Sequence, residues 1–181
     1  CFSKYYPDPT ICNGRGDCTA PNNCECYTSF SGNQCQVSAS SYMFKTAYNL
    51  ANPWAAAVDS RSGNIYVTSQ DNFIRQLTPS GSINIYAGTG TSGATNGPIE
   101  TATIHTSVYG MTWFNDDLYF ADSNKIRVIT AGSIISDYAG TGDLGSSDNA
   151  NKLSATFNFP HGIAADLQGN IYVAEPNAGK I

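Results

Sequence analysis

Asn64-Ile-Tyr-Val67 returns as Asp117-Leu-Tyr-Phe120 and again as Asn170-Ile-Tyr-Val173, each time 53 residues further along the chain. A fixed period of that length constrains the fold more than any local propensity, because it demands a unit that stacks on copies of itself. Other segments recur at 52 or 53 residues. Ile74-Arg75 recurs as Ile126-Arg127, and Tyr86-Ala-Gly-Thr-Gly90 as Tyr138-Ala-Gly-Thr-Gly142. Ala102-Thr103-Ile104 recurs as Ala155-Thr156-Phe157. Pro53-Trp54-Ala55 and Pro160-His161-Gly162 open their units, with Val108-Tyr109-Gly110 between them.

Each unit holds four short runs of β chemistry. In the first they are residues 55–59, 65–69, 73–77 and 83–86, rich in Ile, Val, Tyr and Thr. Turn formers such as Ser62-Gly63-Asn64 and Pro79-Ser80-Gly81 bound them. No segment carries a convincing 3.6-residue apolar period. Four strands per repeat is the pattern of a β-propeller blade, and helical solenoids are excluded by the strand chemistry.

The repeats resemble the NHL-repeat family. The marks are Phe159-Pro160-His161-Gly162-Ile163-Ala164-Ala165-Asp166, then Gly169-Asn170-Ile171-Tyr172-Val173-Ala174-Glu175. The Tyr-Ala-Gly-Thr-Gly exit from the outermost strand is another. The family's acidic residue after the second strand stands as Asp122, is changed to Glu175, and is absent at Ser69. The resemblance covers residues 47–181 and implies antiparallel four-stranded blades around a central channel, commonly six. Two complete blades and the opening of a third are expected, the last strand reached at Lys180-Ile181, so the chain reads as part of a ring. Part of Tyr42–Tyr48 is expected to help close that ring as an outer strand.

All six cysteines lie in residues 1–35, at 1, 12, 18, 24, 26 and 35. Segregated cysteine usage points to two domains. A segment this short buries too little apolar surface to fold without staples. Three disulfides and an oxidising compartment follow from the cysteine density, with fifteen pairings open to arithmetic. Zinc fits poorly, since no C-x-x-C and no nearby His are present. The spacing Cys24-Glu25-Cys26, Phe30-Ser31-Gly32, Cys35, with Gly16 two before Cys18, resembles an EGF-like module over residues 1–35. Ser29 stands where that family usually has Gly. The resemblance implies the pairs Cys1–Cys18, Cys12–Cys24 and Cys26–Cys35. The family's calcium-binding features are missing, so no calcium is expected here. Ser- and Ala-rich residues 36–46 read as a linker.

Net charge is −5, and residues 36–181 carry seven Lys+Arg against eleven Asp+Glu. A phosphate-binding surface needs the opposite sign, which argues against nucleic acid as a partner. No run approaches the eighteen or so apolar residues of a membrane-spanning helix. No initiator Met, basic n-region or apolar h-region stands before Cys1, so an internal piece of a longer protein is expected.

Several motifs carry possible chemistry. Gly88-Thr-Gly90-Thr-Ser-Gly93 and Gly140-Thr-Gly142-Asp-Leu-Gly145 fit G-x-G-x-x-G, but loop sequences follow where a dinucleotide site needs a helix. They are read as inter-blade turns. Arg15-Gly16-Asp17 spells an integrin-recognition tripeptide, expected on a tight turn between Cys12 and Cys18, although Gly16 is already accounted for as a position of the module. Peptide-amidating lyases, also NHL-type propellers, place zinc-binding His in a context similar to Pro160-His161-Gly162. A zinc site needs three converging ligands, and the matching positions hold Trp54 and Tyr109, while His105 is out of register. No metal, cofactor or catalytic residue is therefore assigned. Asp116, Asp117, Asp143 and Asp148 lack the regular spacing of a calcium loop. Tyr66, Tyr119 and Tyr172 share one strand position and are expected to pack between blades.

The expected fold is all-β: a disulfide-rich EGF-like domain and a partial NHL-type propeller. The expected function is recognition outside the cell, secreted or at its surface, without catalysis. A protein, peptide or glycan partner would meet the propeller face at Trp54, Tyr109 and His161, with the EGF-like module as spacer or secondary contact. The alternative is a secreted propeller enzyme of the amidating-lyase or a related hydrolase type, using His161 in a metal site.

Overall fold

Every described strand pairs antiparallel with its neighbours. The computed structural model describes residues 49–181 and, before them, the backbone of four short strands. Two compact units are formed, Cys1–Ala47 and Tyr48–Ile181.

In the first unit, β1 (Gly16–Ala20) pairs with β2 (Asn23–Cys26), placing Gly16 opposite Cys26 and Cys18 opposite Cys24. Strand β3 (Phe30–Ser31) pairs with β4 (Val37–Ser38). Residues 37 and 38, expected within a linker, thus belong to a strand. Gly16 and Asp17 are likewise not on a tight turn. They run extended in β1, where pairing with Cys26 and Glu25 fixes the backbone. Arg15, the bonding of the six cysteines and the outer strand expected from Tyr42–Tyr48 lie outside the described residues.

The second unit is built of antiparallel sheets in chain order. The first blade is β5 (Ala56–Val58), β6 (Ile65–Thr68), β7 (Ile74–Leu77) and β8 (Ile83–Ala87), hydrogen-bonded in that order. Each lies within two residues of its predicted run. The second blade follows a short strand, β9 (Gly97–Pro98). Its main strands are β10 (Val108–Phe114), β11 (Asp117–Asp122), β12 (Lys125–Ile129) and β13 (Ile134–Ala139). Strand β9 adds to the outer edge of β13, with Gly97 opposite Ile135 and Pro98 opposite Ile134, making five strands. The sequence reading took residues 94–98 as plain loop. Gly and Pro disfavour strands in general, but a two-residue edge strand tolerates both. The third blade shows β14 (Ile163–Ala165) and β15 (Ile171–Val173), with a bridge between Glu175 and Lys180 beyond. The described residues contain no α-helix and one 3₁₀ turn, Lys152–Ser154.

The repeat extends to irregularities. Register shifts fall between Ile74 and Arg75 in one blade and between Ile126 and Arg127 in the next. Gly88 and Gly140 both take positive φ, 99° and 94°, and their N–H groups donate to Ile99 and Lys152 carbonyls. A Cβ on Gly140 would press on the Phe157 ring at 2.8 Å, so the Tyr-Ala-Gly-Thr-Gly exit needs glycine there. Both G-x-G-x-x-G stretches therefore turn between blades.

Alternation along the second blade's strands gives it two buried faces. Leu118, Phe120 and Ile129 join Ala57, Tyr66 and Ile74 of the first blade in one apolar cluster. Ala121, Ile126 and Ala139 point the other way, against Phe157, Ile163 and Val173 at the third. At roughly 1.5–3 kcal/mol per fully buried large aliphatic or Phe side chain, this stacking is the main source of order in the second unit.

Candidate functional site: an aromatic row at the starts of the innermost strands

The innermost strands β5, β10 and β14 lie side by side, β10 between the other two. The register shows which residues are equivalent. Ala57, Thr112 and Ala164 stand opposite Tyr66, Tyr119 and Tyr172 of the repeated motif. Three residues before each come Trp54, Tyr109 and His161, so these occupy one structural position in three successive blades.

Their rings touch in sequence. Trp54 and Tyr109 meet edge to face, with centroids 5.0 Å apart and planes at 82°. Tyr109 and His161 follow at 4.4 Å and 37°. Trp54 keeps 45% of its surface exposed, His161 is exposed and Tyr109 half-buried. The three residues predicted as a binding surface thus form one continuous solvent-facing row.

Backbone geometry sets the row. The Trp54 N–H donates to the Thr68 carbonyl at 3.0 Å, and the buried Thr68 hydroxyl donates to Val108 of the next blade at 3.1 Å. The His161 N–H donates to Ala174 at 2.9 Å. Tyr109 and Gly110 fall where the β10–β11 register shifts, between Val108 and Met111. Such a bulge re-aims a side chain. A Cβ on Gly110 would collide with the carbonyl oxygen of His161, so glycine at this position lets the third blade's entry lie against β10. None of the three side chains brings a formal negative charge, and the row offers flat π surface with polar tips, suited to stacking.

Other predicted residues are placed differently. His105 does not approach His161. Its backbone N–H donates to Asp122 Oδ1, and its Nδ1 lies 3.0 Å from the same oxygen. The acidic position after the second strand proves to be a tether for inter-blade loops. Asp122 holds residue 105, and Glu175 Oε2 accepts the N–H of Asn158 at 2.6 Å, 53 residues on. Among the described residues no three His, Cys, Asp or Glu gather closely enough to hold a metal ion. Of the three repeated tyrosines, Tyr66 packs between blades, stacked on Trp113 at 4.6 Å and 13°. Tyr119 instead meets Tyr138 of its own sheet edge-on, and Tyr172 is 50% exposed with its hydroxyl donating to Asp166. At the position of Trp113, opposite Leu118, the other described blades carry Val58 opposite Ile65 and Ala165 opposite Ile171, so a stacking aromatic stands there in the second blade alone.

A cavity of about 320 Å³ lies at the opposite ends of the innermost strands, among residues 59–61, 113–116 and 165–167. The sequence reading did not find it. Its residues come from turns of differing length, and the repeat does not align them. Here Arg61 Nη1 donates to both oxygens of Asp116 in the next blade, at 2.5 and 2.7 Å. Hydrogen bonds hold two neighbouring carboxyls below the usual range: from Ser62 to Asp59, and from Asn170 to Asp166, the latter with help from Tyr172. Both remain ionised acceptors.

A family model for the EGF-like domain matches residues 1–35. No curated protein matches the chain. Among solved structures, a protein of unknown function from Bacteroides thetaiotaomicron is 26% identical at a TM-score of 0.62, over 69% of this chain and 32% of that one. An auxiliary nutrient binding protein from the same organism is 19% identical at 0.60, over 70% of this chain and 35% of the other. A proposed phosphatase, also from that organism, is 18% identical at 0.57, over 69% and 32%. This chain spans about a third of the length of those structures. Their descriptions cover both binding and catalysis, so the architecture alone does not decide between the two. What the sheets and these likenesses jointly show is an all-β, β-propeller-like fold, in a chain whose first 35 residues match the EGF-like domain.

Proposed function

We propose that this chain is a recognition protein of NHL type that works outside the cell and binds a protein or peptide through the Trp54–Tyr109–His161 row. The observation that carries the reading is the row itself: three equivalent side chains from three blades, in ring contact and open to solvent. Exposed aromatics held on rigid strands are the residues that dominate binding energy at interfaces. A glycan partner uses the same flat surface. The EGF-like match at residues 1–35 supports an oxidising, extracellular setting, with the module as a spacer or secondary contact. Binding rather than catalysis is favoured because Tyr109 and His161 meet through their ring faces, the arrangement of a stacking surface.

The test is a screen of the purified chain against an arrayed panel of extracellular proteins, each hit then measured with the Trp54→Ala, Tyr109→Ala and His161→Ala variants. Hot-spot behaviour predicts at least a tenfold loss, about 1.4 kcal/mol, for Trp54→Ala and Tyr109→Ala. Hits that bind all three variants as tightly as the parent would sink the assignment. So would stoichiometric zinc retained by the purified protein and lost in His161→Ala, which favours the enzyme reading.

A further inference from the structure

The geometry points to a second ligand site, distinct from the aromatic row: the cavity of about 320 Å³ at the far ends of β5, β10 and β14 binds a neutral saccharide. Trp113 and Phe114 lie four and five residues beyond Tyr109 along β10, about 13–17 Å of extended chain, so the cavity is a site apart from the row.

Two aromatic residues and several planar polar groups line this cavity. Trp113 and Phe114 end β10 within it. Trp113 is clamped by stacking on Tyr66, and Phe114 lies where a Cβ on Gly169 would meet its ring at 3.1 Å. Both rings are therefore held in place before any ligand arrives, which lowers the entropy lost on binding. Around them stand Asp59, Asp166 and the Arg61–Asp116 pair.

The polar groups are arranged for hydroxyls. Asp166 is saturated by four donors, the N–H groups of Gln168 and Asn170, the Asn170 amide and the Tyr172 hydroxyl, so it braces the wall; Asp59 accepts from the Arg61 N–H and the Ser62 hydroxyl and keeps acceptor capacity. Arg61 spends Nη1 on Asp116, and its planar fork carries further N–H donors. The cavity thus offers acceptors and donors in fixed planes beside apolar ring surface. A pyranose has the matching parts, a C–H face for an aromatic ring and a rim of hydroxyls that both donate and accept. The volume sits at the lower end of small-molecule sites, as a short saccharide requires. Arg61 answers the charge of Asp116 but not those of Asp59 and Asp166, so a cationic guest is the competing occupant that the oligolysine arm tests.

The test uses a property of this sequence: its two tryptophans are Trp54 and Trp113. In a Trp54→Phe background Trp113 alone reports. Cellobiose, maltose, lactose and N,N′-diacetylchitobiose are titrated separately while Trp113 emission is followed, with ligand-observed NMR as a second readout. The expected result is a saturable emission change with at least one disaccharide, weakened tenfold or more by Asp59→Asn and by Arg61→Ala. Circular dichroism verifies that each variant keeps the fold. No saturable response to any of the four sugars up to about 50 mM, weaker than any useful site, overturns the proposal. A response indifferent to both substitutions overturns it too, as does a response to oligolysine in place of the sugars.

Discussion

The Arg127 guanidinium donates to the Asp122 carboxylate at 2.6 Å, and neither side chain exposes any surface. The same guanidinium donates to the carbonyls of Thr103 and Thr95 and to Asn96 Oδ1, so one buried cation ties an inter-blade loop to its blade. Its Nε faces Asp137 Oδ1 at 3.7 Å, too far for a hydrogen bond, and both atoms lack other partners. In the first blade the equivalent work is shared. Ser69 replaces the acid, and Asp71 supplies the carboxylate to Arg75 at 2.6 Å nearer the surface.

Breaking the buried pair is expected to cost far more than breaking its exposed counterpart. Asp122→Ala strips the buried guanidinium of its hydrogen-bonded carboxylate, leaving only Asp137 at 3.7 Å, and should lower stability by about 3 kcal/mol. Asp71→Ala should cost about 1 kcal/mol or less, because both partners touch water. Urea unfolding of the two variants checks the contrast, and equal losses contradict it.

Glycine is required at position 110 but not at 162. Alanine at 110 collides with the His161 carbonyl, a backbone atom that cannot swing aside, so a loss of about 1–3 kcal/mol is expected. At 162 the added methyl meets only Ala174 Cβ at 3.5 Å, an ordinary contact, and the change should stay near 0.5 kcal/mol. NMR should also show His161 ring resonances moved in Gly110→Ala, as the ring leaves Tyr109, and unmoved in Gly162→Ala.

The Tyr66–Trp113 stack couples two blades. A double-mutant cycle with Tyr66→Ala and Trp113→Ala should return an interaction energy of about 0.5–1.5 kcal/mol beyond the summed burial losses. Additivity of the two substitutions would show that the rings contribute by area alone.

Alkali should weaken the fold through Tyr86. Burial, with a smaller contribution from Tyr66, pushes its hydroxyl from 10.0 up to about 12. The folded state therefore keeps a proton that the unfolded chain releases. This contribution is fully present below pH 10 and is lost as pH rises from 10 towards 12. Absorbance at 295 nm should show a late-titrating component that shrinks in Tyr86→Phe, whose stability should fall less steeply over that window.

The cysteines should map, after non-reducing digestion and mass spectrometry, as Cys1–Cys18, Cys12–Cys24 and Cys26–Cys35. Any other pairing, or free thiols in the native protein, removes the basis for an EGF-like module despite the match at residues 1–35.

The chain's residues by themselves determined the period, the strand chemistry and the segregation of cysteines. These are local properties. A run such as Ile-Tyr-Val is committed to a strand by branching and alternation, and Gly88 or Gly140 to a turn by its backbone freedom, whatever lies beyond. Sequence equivalence also put Trp54, Tyr109 and His161 in one class. Only the tertiary structure decided that their rings touch, because that depends on the bulge at Tyr109-Gly110 and on how closely the blades abut. It alone brought Arg61 to Asp116, 55 residues away, and closed the saccharide-sized cavity around them. It also gave Asp122 to His105 and added β9 as a fifth strand. Such meetings are set by register shifts and turn lengths that vary from blade to blade, and a repeating pattern of residue types carries no record of where two different repeats come into contact.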